Sequence, residues 1–191
     1  MPAHFHRTPR RNAGFSLIEL AVTVAVLAII LAIGLPSLRD ILTNNRLSGA
    51  TNEMLGMVQL AKIESIRRNA TVDLCPSTNG TTCGGTDWNR VILFSNGANQ
   101  GVIRELQASN RLTVRVSGNI SGFNSRVRFR PDGFAWRGDP TPVQRVVARI
   151  QVCAPAPGPT QNARNISLSG ARASVDAPAA AGAACSAALA N

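Results

Sequence analysis

Glu19 has the clearest potential for chemistry, because it lies beside a segment that is otherwise ready to enter a membrane. No residue from Leu20 to Leu38 is charged, and this length approaches the roughly 20 apolar residues needed to cross a bilayer core. A carboxylate at such a depth costs roughly 2.5 kcal/mol or more. Glu19 is therefore expected to serve a function and to need a partner of opposite charge.

A second group of residues with potential chemistry is the four cysteines, Cys75, Cys83, Cys153 and Cys185. No pair has the Cys-x-x-Cys spacing and no histidine lies near them, so a zinc site is not expected. Outside a reducing cytosol, an even number of cysteines favours two disulfides. Three pairings are possible. The short Gly- and Thr-rich loop between the first two cysteines favours Cys75–Cys83, which leaves Cys153–Cys185.

Arginine supplies almost all of the positive charge. The chain has 20 Lys+Arg against 10 Asp+Glu, a formal charge of +10, and Lys62 is its one lysine. Arginine suits phosphate and carboxylate recognition because its planar fork can bond both oxygens at once. In three predicted strands arginines alternate with apolar residues, and this group comprises Arg111, Arg115, Arg126, Arg128, Arg130, Arg145 and Arg149.

If the faces of these strands coincide, the arginines form a basic patch that could follow the phosphate backbone of double-stranded DNA without sequence specificity. No aromatic residue interleaves with them, so stacking on bases is not expected. Two alternatives stay open. GC-rich codon usage could favour arginine, or the arginines could lie on a solvated face and pair with Glu105, Asp132 or Asp139.

Catalysis is not expected. Both histidines precede the apolar run, and the chain has no Gly-x-Ser-x-Gly motif, no zinc spacing and no phosphate-binding loop. No constellation of base, nucleophile and orienting group is recognisable. The sequence therefore predicts a protein that is not an enzyme and has neither a metal nor a cofactor.

The apolar run predicts a membrane anchor with a defined orientation. Arg7, Arg10 and Arg11 precede it, so the N-terminus is expected to stay in the cytoplasm and the bulk of the chain to lie outside. The run continues into Pro36 and Ser37 with no Ala-x-Ala cleavage pattern, unlike an ordinary secretory signal. The span is predicted as residues 15–38.

An amphipathic helix is predicted over residues 39–69, because Leu47, Met54, Val58, Ala61 and Ser65 recur on one helical face, which Leu55 and Ile66 widen. After Asn69 the hydrophobic period changes to two, which is typical of strands and hairpins. Residues 70–176 are therefore predicted as a β-rich head. The Ala-rich tail, residues 177–191, has little reason to order except at Cys185.

The segment Gly14-Phe-Ser-Leu-Ile-Glu19, preceded by a basic leader, resembles the N-terminus of type IV pilins and type II secretion pseudopilins. The order of "LCPSTNGTTC", Trp88, "VILFSNG" and "VRFRPDGFA" in the head resembles the FimT/GspH family of minor pilins and pseudopilins. The resemblance implies an α+β fold, in which a long N-terminal helix, half transmembrane and half amphipathic, packs on an antiparallel β-sheet head.

The resemblance also implies processing and partners. A prepilin peptidase is expected to remove the leader, residues 1–14, by cutting between Gly14 and Phe15, and to N-methylate Phe15. Glu19 would then pair with the Phe15 amine of a neighbouring subunit. The implied function is a structural subunit of a pilus or secretion pseudopilus, near its tip, that starts in the bacterial inner membrane with its head in the periplasm and then assembles with other pilins or pseudopilins.

A second function is implied for part of the family. FimT-like minor pilins in some bacteria bind DNA during natural transformation through a Gly-Arg-x-Arg element. Arg172 in "SGARASV" matches the first arginine of that element, whereas Ala171 and Ser174 replace its glycine and second arginine. DNA uptake is therefore the alternative to a purely structural role.

Overall fold

The computed structural model describes residues 14–137, 144–155, 159–187 and 189. The expected leader up to Ala13 and the predicted arginine partner Asp139 lie outside the described residues. The chain divides into two compact units, Met1–Arg39 and Asp40–Asn191.

The first element is a helix of 51 residues, α1, Leu17–Arg67. Glu19 lies in its first turn and Arg67 in its last, where each charge is favourable to the helix dipole. Asn69 follows with φ of 47°, a left-handed conformation that asparagine tolerates beyond a helix end. Near that end, hydrogen bonds from Arg67 and Arg68 lower the pKa of the Glu64 carboxyl to about 2.

In the first unit, α1 has the length and hydropathy of a membrane span. An 18-residue window has a mean hydropathy of 2.7. Its large apolar side chains are 48 to 85% exposed between Phe15 and Leu35. Such a surface is stable only when lipid or another protein covers it.

The second unit contains the last part of α1 and the β-rich head. The elements of the head are β1 Val72–Pro76, β2 Arg90–Ser95, β3 Gly101–Gln107, β4 Thr113–Val116, α2 Gly118–Ser121, β5 Val127–Phe129, β6 Ala135–Arg137, β7 Gln144–Arg145, β8 Val147–Cys153, β9 Ala163–Ser169 and β10 Arg172–Val175.

Two sheets organise the head. The first has the order β3-β2-β1-β5-β6-β7 and the second the order β10-β9-β8-β4. Every strand pairing is antiparallel among the described residues. The predicted α+β class, with a long helix and an antiparallel β head, is confirmed. The three-residue strand β6 and the one-turn helix α2 are too short for a periodic signal, so the sequence predicts neither.

One hydrophobic core joins both sheets to the second half of α1. The predicted helical stripe is buried, with Leu47, Met54, Val58, Ala61 and Ser65 each at most 2% exposed. The prediction for Ile66 is wrong, because it is 51% exposed. Its Cδ1 faces Gly133, at 3.2 Å from where a Cβ would lie, and a glycine has no side chain to cover it.

Both disulfides follow the pairing that the sequence favours. Cys75 is joined to Cys83 and Cys153 to Cys185. The second disulfide lies in a small buried cluster with Ala163 and Ala181.

The tail is ordered at more places than its composition predicts. Ala179 pairs with Ala163 beyond the end of β10. The side chain of Asn162 donates to the Gly182 carbonyl and accepts from the Ala181 N–H, both at 2.9 Å. The tail is therefore fastened to the second sheet through backbone groups, which an Ala-rich sequence supplies as well as any other.

Candidate functional site

The residues predicted for processing and assembly lie at the start of the first unit. Gly14 and Phe15 precede α1, and Phe15 is 75% exposed. A Cβ on Gly14 would meet no atom within 4 Å. Glu19 is exposed in the first turn of α1, in the part of the helix within the first unit, whose large apolar residues are exposed as well. The predicted cleavage position is therefore open, and the predicted pairing carboxylate is exposed.

The predicted basic patch is divided between the outer faces of two sheets. Inward-facing apolar residues of both sheets share one core, so the alternating arginines point away from it on separate surfaces. Four belong to strands of the first sheet or their flanks, namely Arg126, Arg128, Arg130 and Arg145. The other four belong in the same way to the second sheet, namely Arg111, Arg115, Arg149 and Arg172.

Asp73 engages two of the arginines on the first sheet. Its side chain is 1% exposed, and it lies opposite Arg128 in the pairing of β1 with β5. Arg128 donates to both carboxylate oxygens at 2.7 and 2.9 Å, and Arg126 donates at 3.2 Å. Two positive side chains at β5 are thus held by one buried acid of β1.

Three more arginines, along the β5-β6-β7 edge of the first sheet, lie over aromatic rings. The guanidinium carbon of Arg130 lies 5.0 Å from the centre of the Trp136 ring, and that of Arg145 lies 4.1 Å from the centre of the Phe134 ring. Arg137 lies 4.7 Å from the centre of Phe123. The expectation that no aromatic interleaves with the arginines is wrong. On the outer face the two types alternate across strands, since Trp136 pairs with both Arg128 and Arg145, whereas Phe129, between Arg128 and Arg130, is buried in the core.

On the second sheet, the tail and an acid engage two arginines. Arg115 donates to the backbone carbonyls of Cys185 and Ala187. The Nε of Arg149 lies 3.4 Å from the Ser167 hydroxyl and 3.7 Å from Asp176. Arg111 and Arg172 are exposed. Of the eight arginines predicted to contact DNA, four therefore make hydrogen bonds or ion pairs within the described part of the chain.

The acids that bind these arginines differ from those expected. Asp73 and Asp176 do so, whereas Glu105 pairs with Arg90 at 2.6 Å. Asp132 accepts the Phe134 N–H within its own turn. A polar residue at the centre of the otherwise apolar stretch "VDLC" is the one sequence signal that could have indicated Asp73, because a buried acid needs cationic partners.

The comparisons with known proteins agree with this fold and N-terminus. Residues 50–172 match the family described as Type II transport protein GspH. Residues 9–35 match the Prokaryotic N-terminal methylation motif. No curated protein matches the chain.

A solved structure of a minor pilin shows the same fold. The crystal structure of the type IV minor pilin FimU of Pseudomonas aeruginosa matches with a TM-score of 0.51 and 17% identity, over 70% of this chain and 90% of that chain. A second crystal form of FimU has a TM-score of 0.48 and 17% identity, over 69% of this chain and 93% of that chain.

The fold and the N-terminal motif together define a minor pilin or pseudopilin, a class of structural subunit anchored in a membrane by its first helix. The family match covers more than half of the sequence. The chain belongs to the GspH family.

Proposed function

We propose that this subunit enters its filament through a charge pair created by processing. A prepilin peptidase cuts between Gly14 and Phe15 and methylates the new N-terminus. Glu19 then binds the positive amine of Phe15 on a neighbouring subunit. The observation that carries this proposal is the position of Glu19, in the first turn of α1, four residues beyond Phe15 and within the exposed apolar part of the helix. Pairing would neutralise two charges that are expensive in an apolar environment.

The proposed location of the subunit in the cell follows from the same N-terminal segment. Residues 1–14 form the cleaved leader, 15–38 the transmembrane and assembly helix, and 39–69 its amphipathic continuation. The head, 70–176, and the tail, 177–191, lie in the periplasm while the N-terminus stays in the cytoplasm. From the inner membrane the subunit then joins a pilus or pseudopilus, near its tip, where a minor component acts in assembly.

The test is Glu19→Ala in a cell that contains the peptidase and the other subunits. The variant should be inserted and cut like the parent, with mass spectrometry finding methylated Phe15 at the N-terminus. Its share in the purified filament should fall at least about tenfold, since leaving a buried charge unpaired costs about 3 kcal/mol or more. Glu53→Ala is the control, because it removes the same charge from an exposed position of α1 in the second unit. Equal incorporation of parent and Glu19→Ala would refute the pairing.

Double-stranded DNA is a second candidate ligand, and one observation favours it. Arg130 and Arg145 are exposed and lie over aromatic rings on one edge of the first sheet, an arrangement that could meet a phosphate backbone. A gel shift of the full chain in detergent at about 50 mM salt should lose most of its intensity in Arg130→Ala/Arg145→Ala. Arg111→Ala should keep it. An absent shift with the parent protein would exclude this candidate.

A further inference from the structure

A narrow cleft opens between α1 and the two sheets of the second unit, beside the turn that joins β9 to β10. Its volume is about 260 Å³. Since a water molecule occupies about 30 Å³ of liquid, the cleft has room for one medium-sized side chain. Its walls include Val58, Lys62, Phe129, Leu168, Ala171 and Arg172.

The cleft combines an apolar floor with a cationic rim. Val58, Phe129 and Leu168 form the floor and are otherwise buried in the core. At the rim, the Lys62 Nζ donates to the Ala171 carbonyl at 3.1 Å. An ammonium has three donor protons, so two stay available to a ligand. Arg172 is exposed, and within the described part of the chain no hydrogen bond or ion pair engages its guanidinium.

Two more cations lie at the turns beside this cleft. Arg145 lies beside Gly170, with its Cδ 3.7 Å from the position that a Cβ would take there. Lys62 lies beside Gly133 in the same way, with its Cε at 3.5 Å. Arg130 begins that second turn, and its carbonyl accepts the Ser65 hydroxyl at 3.0 Å. Asp132, exposed in the same turn, accepts the Phe134 N–H at 3.0 Å but keeps its charge, so it offsets one of the four cations Lys62, Arg130, Arg145 and Arg172. The surroundings of the cleft are therefore positive.

We propose that this cleft docks an apolar side chain adjoining a carboxylate, presented by a different and acidic subunit of the filament. The proposal rests on the proposed function, because it takes assembly with other subunits as given. An apolar side chain would cover the floor. The neighbouring carboxylate would meet the Arg172 fork and the Lys62 ammonium, the two groups that bind carboxylates most readily.

Charge and shape argue for this occupant over two others. A second copy of this chain is disfavoured, because the leader takes away only three of 20 basic residues and none of the 10 acidic ones, so the copies repel each other. A DNA duplex, whose major groove alone is about 12 Å wide, could touch the rim but could not fill a 260 Å³ cleft. The apolar floor would then stay uncovered.

The test measures binding of a fluorescent peptide, Gly-Ser-Leu-Glu-Ser-Gly, to the full chain in detergent micelles by fluorescence anisotropy, with empty micelles as the blank. Two matched peptides replace Glu by Gln or Leu by Ser. We expect the parent peptide to bind at least about fivefold more tightly than either. Lys62→Gln/Arg172→Gln should lower its affinity at least about tenfold, as expected for two lost charged contacts. Arg111→Gln, a control with an exposed arginine outside the cleft, should change it less than about twofold.

Equal affinities for the three peptides would overturn the proposal, and this comparison needs only the parent protein, so it holds even if a variant fails to fold. Binding of a 20-base-pair duplex that depends on Lys62 and Arg172, without binding of the peptide, would also overturn it and would assign the rim to nucleic acid. The measurement involves no filament. Its failure is therefore distinguishable from failure of the Glu19 incorporation test.

Discussion

Asp73 shows how one side chain decides what its neighbours can do. It is buried on the outer face of the first sheet, beneath two arginines that the sequence predicts to be part of a basic patch. Alternation along β5 correctly predicts which face the arginines occupy. It cannot predict that β1 lies alongside, because this pairing joins residues more than 50 positions apart.

Asp73→Asn should lower the free energy of unfolding by about 2 to 3 kcal/mol. The amide would leave two partly buried guanidiniums without their counter-charge, and breaking a fully buried pair costs about 3 to 5 kcal/mol. Denaturant unfolding of the full chain, followed by circular dichroism, measures this.

Glu105→Gln is the matched control for Asp73→Asn. It breaks the more exposed pair with Arg90 and should cost at most about 1 kcal/mol. If both variants lost equally little stability, the role assigned to Asp73 would be wrong.

At the scale of elements, two disulfides hold segments that have little regular structure. Cys75–Cys83 closes a loop with a sequence separation of 8, and Cys153–Cys185 joins residues 32 apart and carries the tail with it. The pairing could be predicted from spacing alone. The backbone contacts of the tail could not, because an Ala-rich sequence has no periodic or turn signal that distinguishes an ordered segment from a free one.

Replacing Cys153 and Cys185 together by serine should cost about 3 to 4 kcal/mol of stability, and replacing Cys75 and Cys83 about 2 to 3 kcal/mol, because a longer closed loop restricts the unfolded chain more. Limited proteolysis should then cut the tail of the first double variant and spare that of the second. A tail that resists proteolysis equally in both would mean that its hydrogen bonds suffice without the disulfide.

At the scale of the whole molecule, the two units differ in how far the sequence predicts them. The N-terminal unit depends on local features, the apolar run, Gly14 and Glu19, so its class could be recognised directly. In the head, the strands could be predicted from alternation, but the surfaces depend on which strands adjoin. The cleft needs α1, the first sheet and the β9–β10 turn together, and no single segment contains that information.

The pairing of Ala179 with Ala163 also bears on how the protein avoids uncontrolled association. β10 covers β9 only from Ile166 to Ser169. Asp176 then donates its N–H to the Asn165 carbonyl, and Ala179 pairs with Ala163. The tail thereby continues where β10 ends and covers the part of the β9 edge that β10 leaves unpaired, which would otherwise be a template for a foreign strand and for aggregation. This stretch of β9 backbone is thus unavailable for the addition of a strand from another chain.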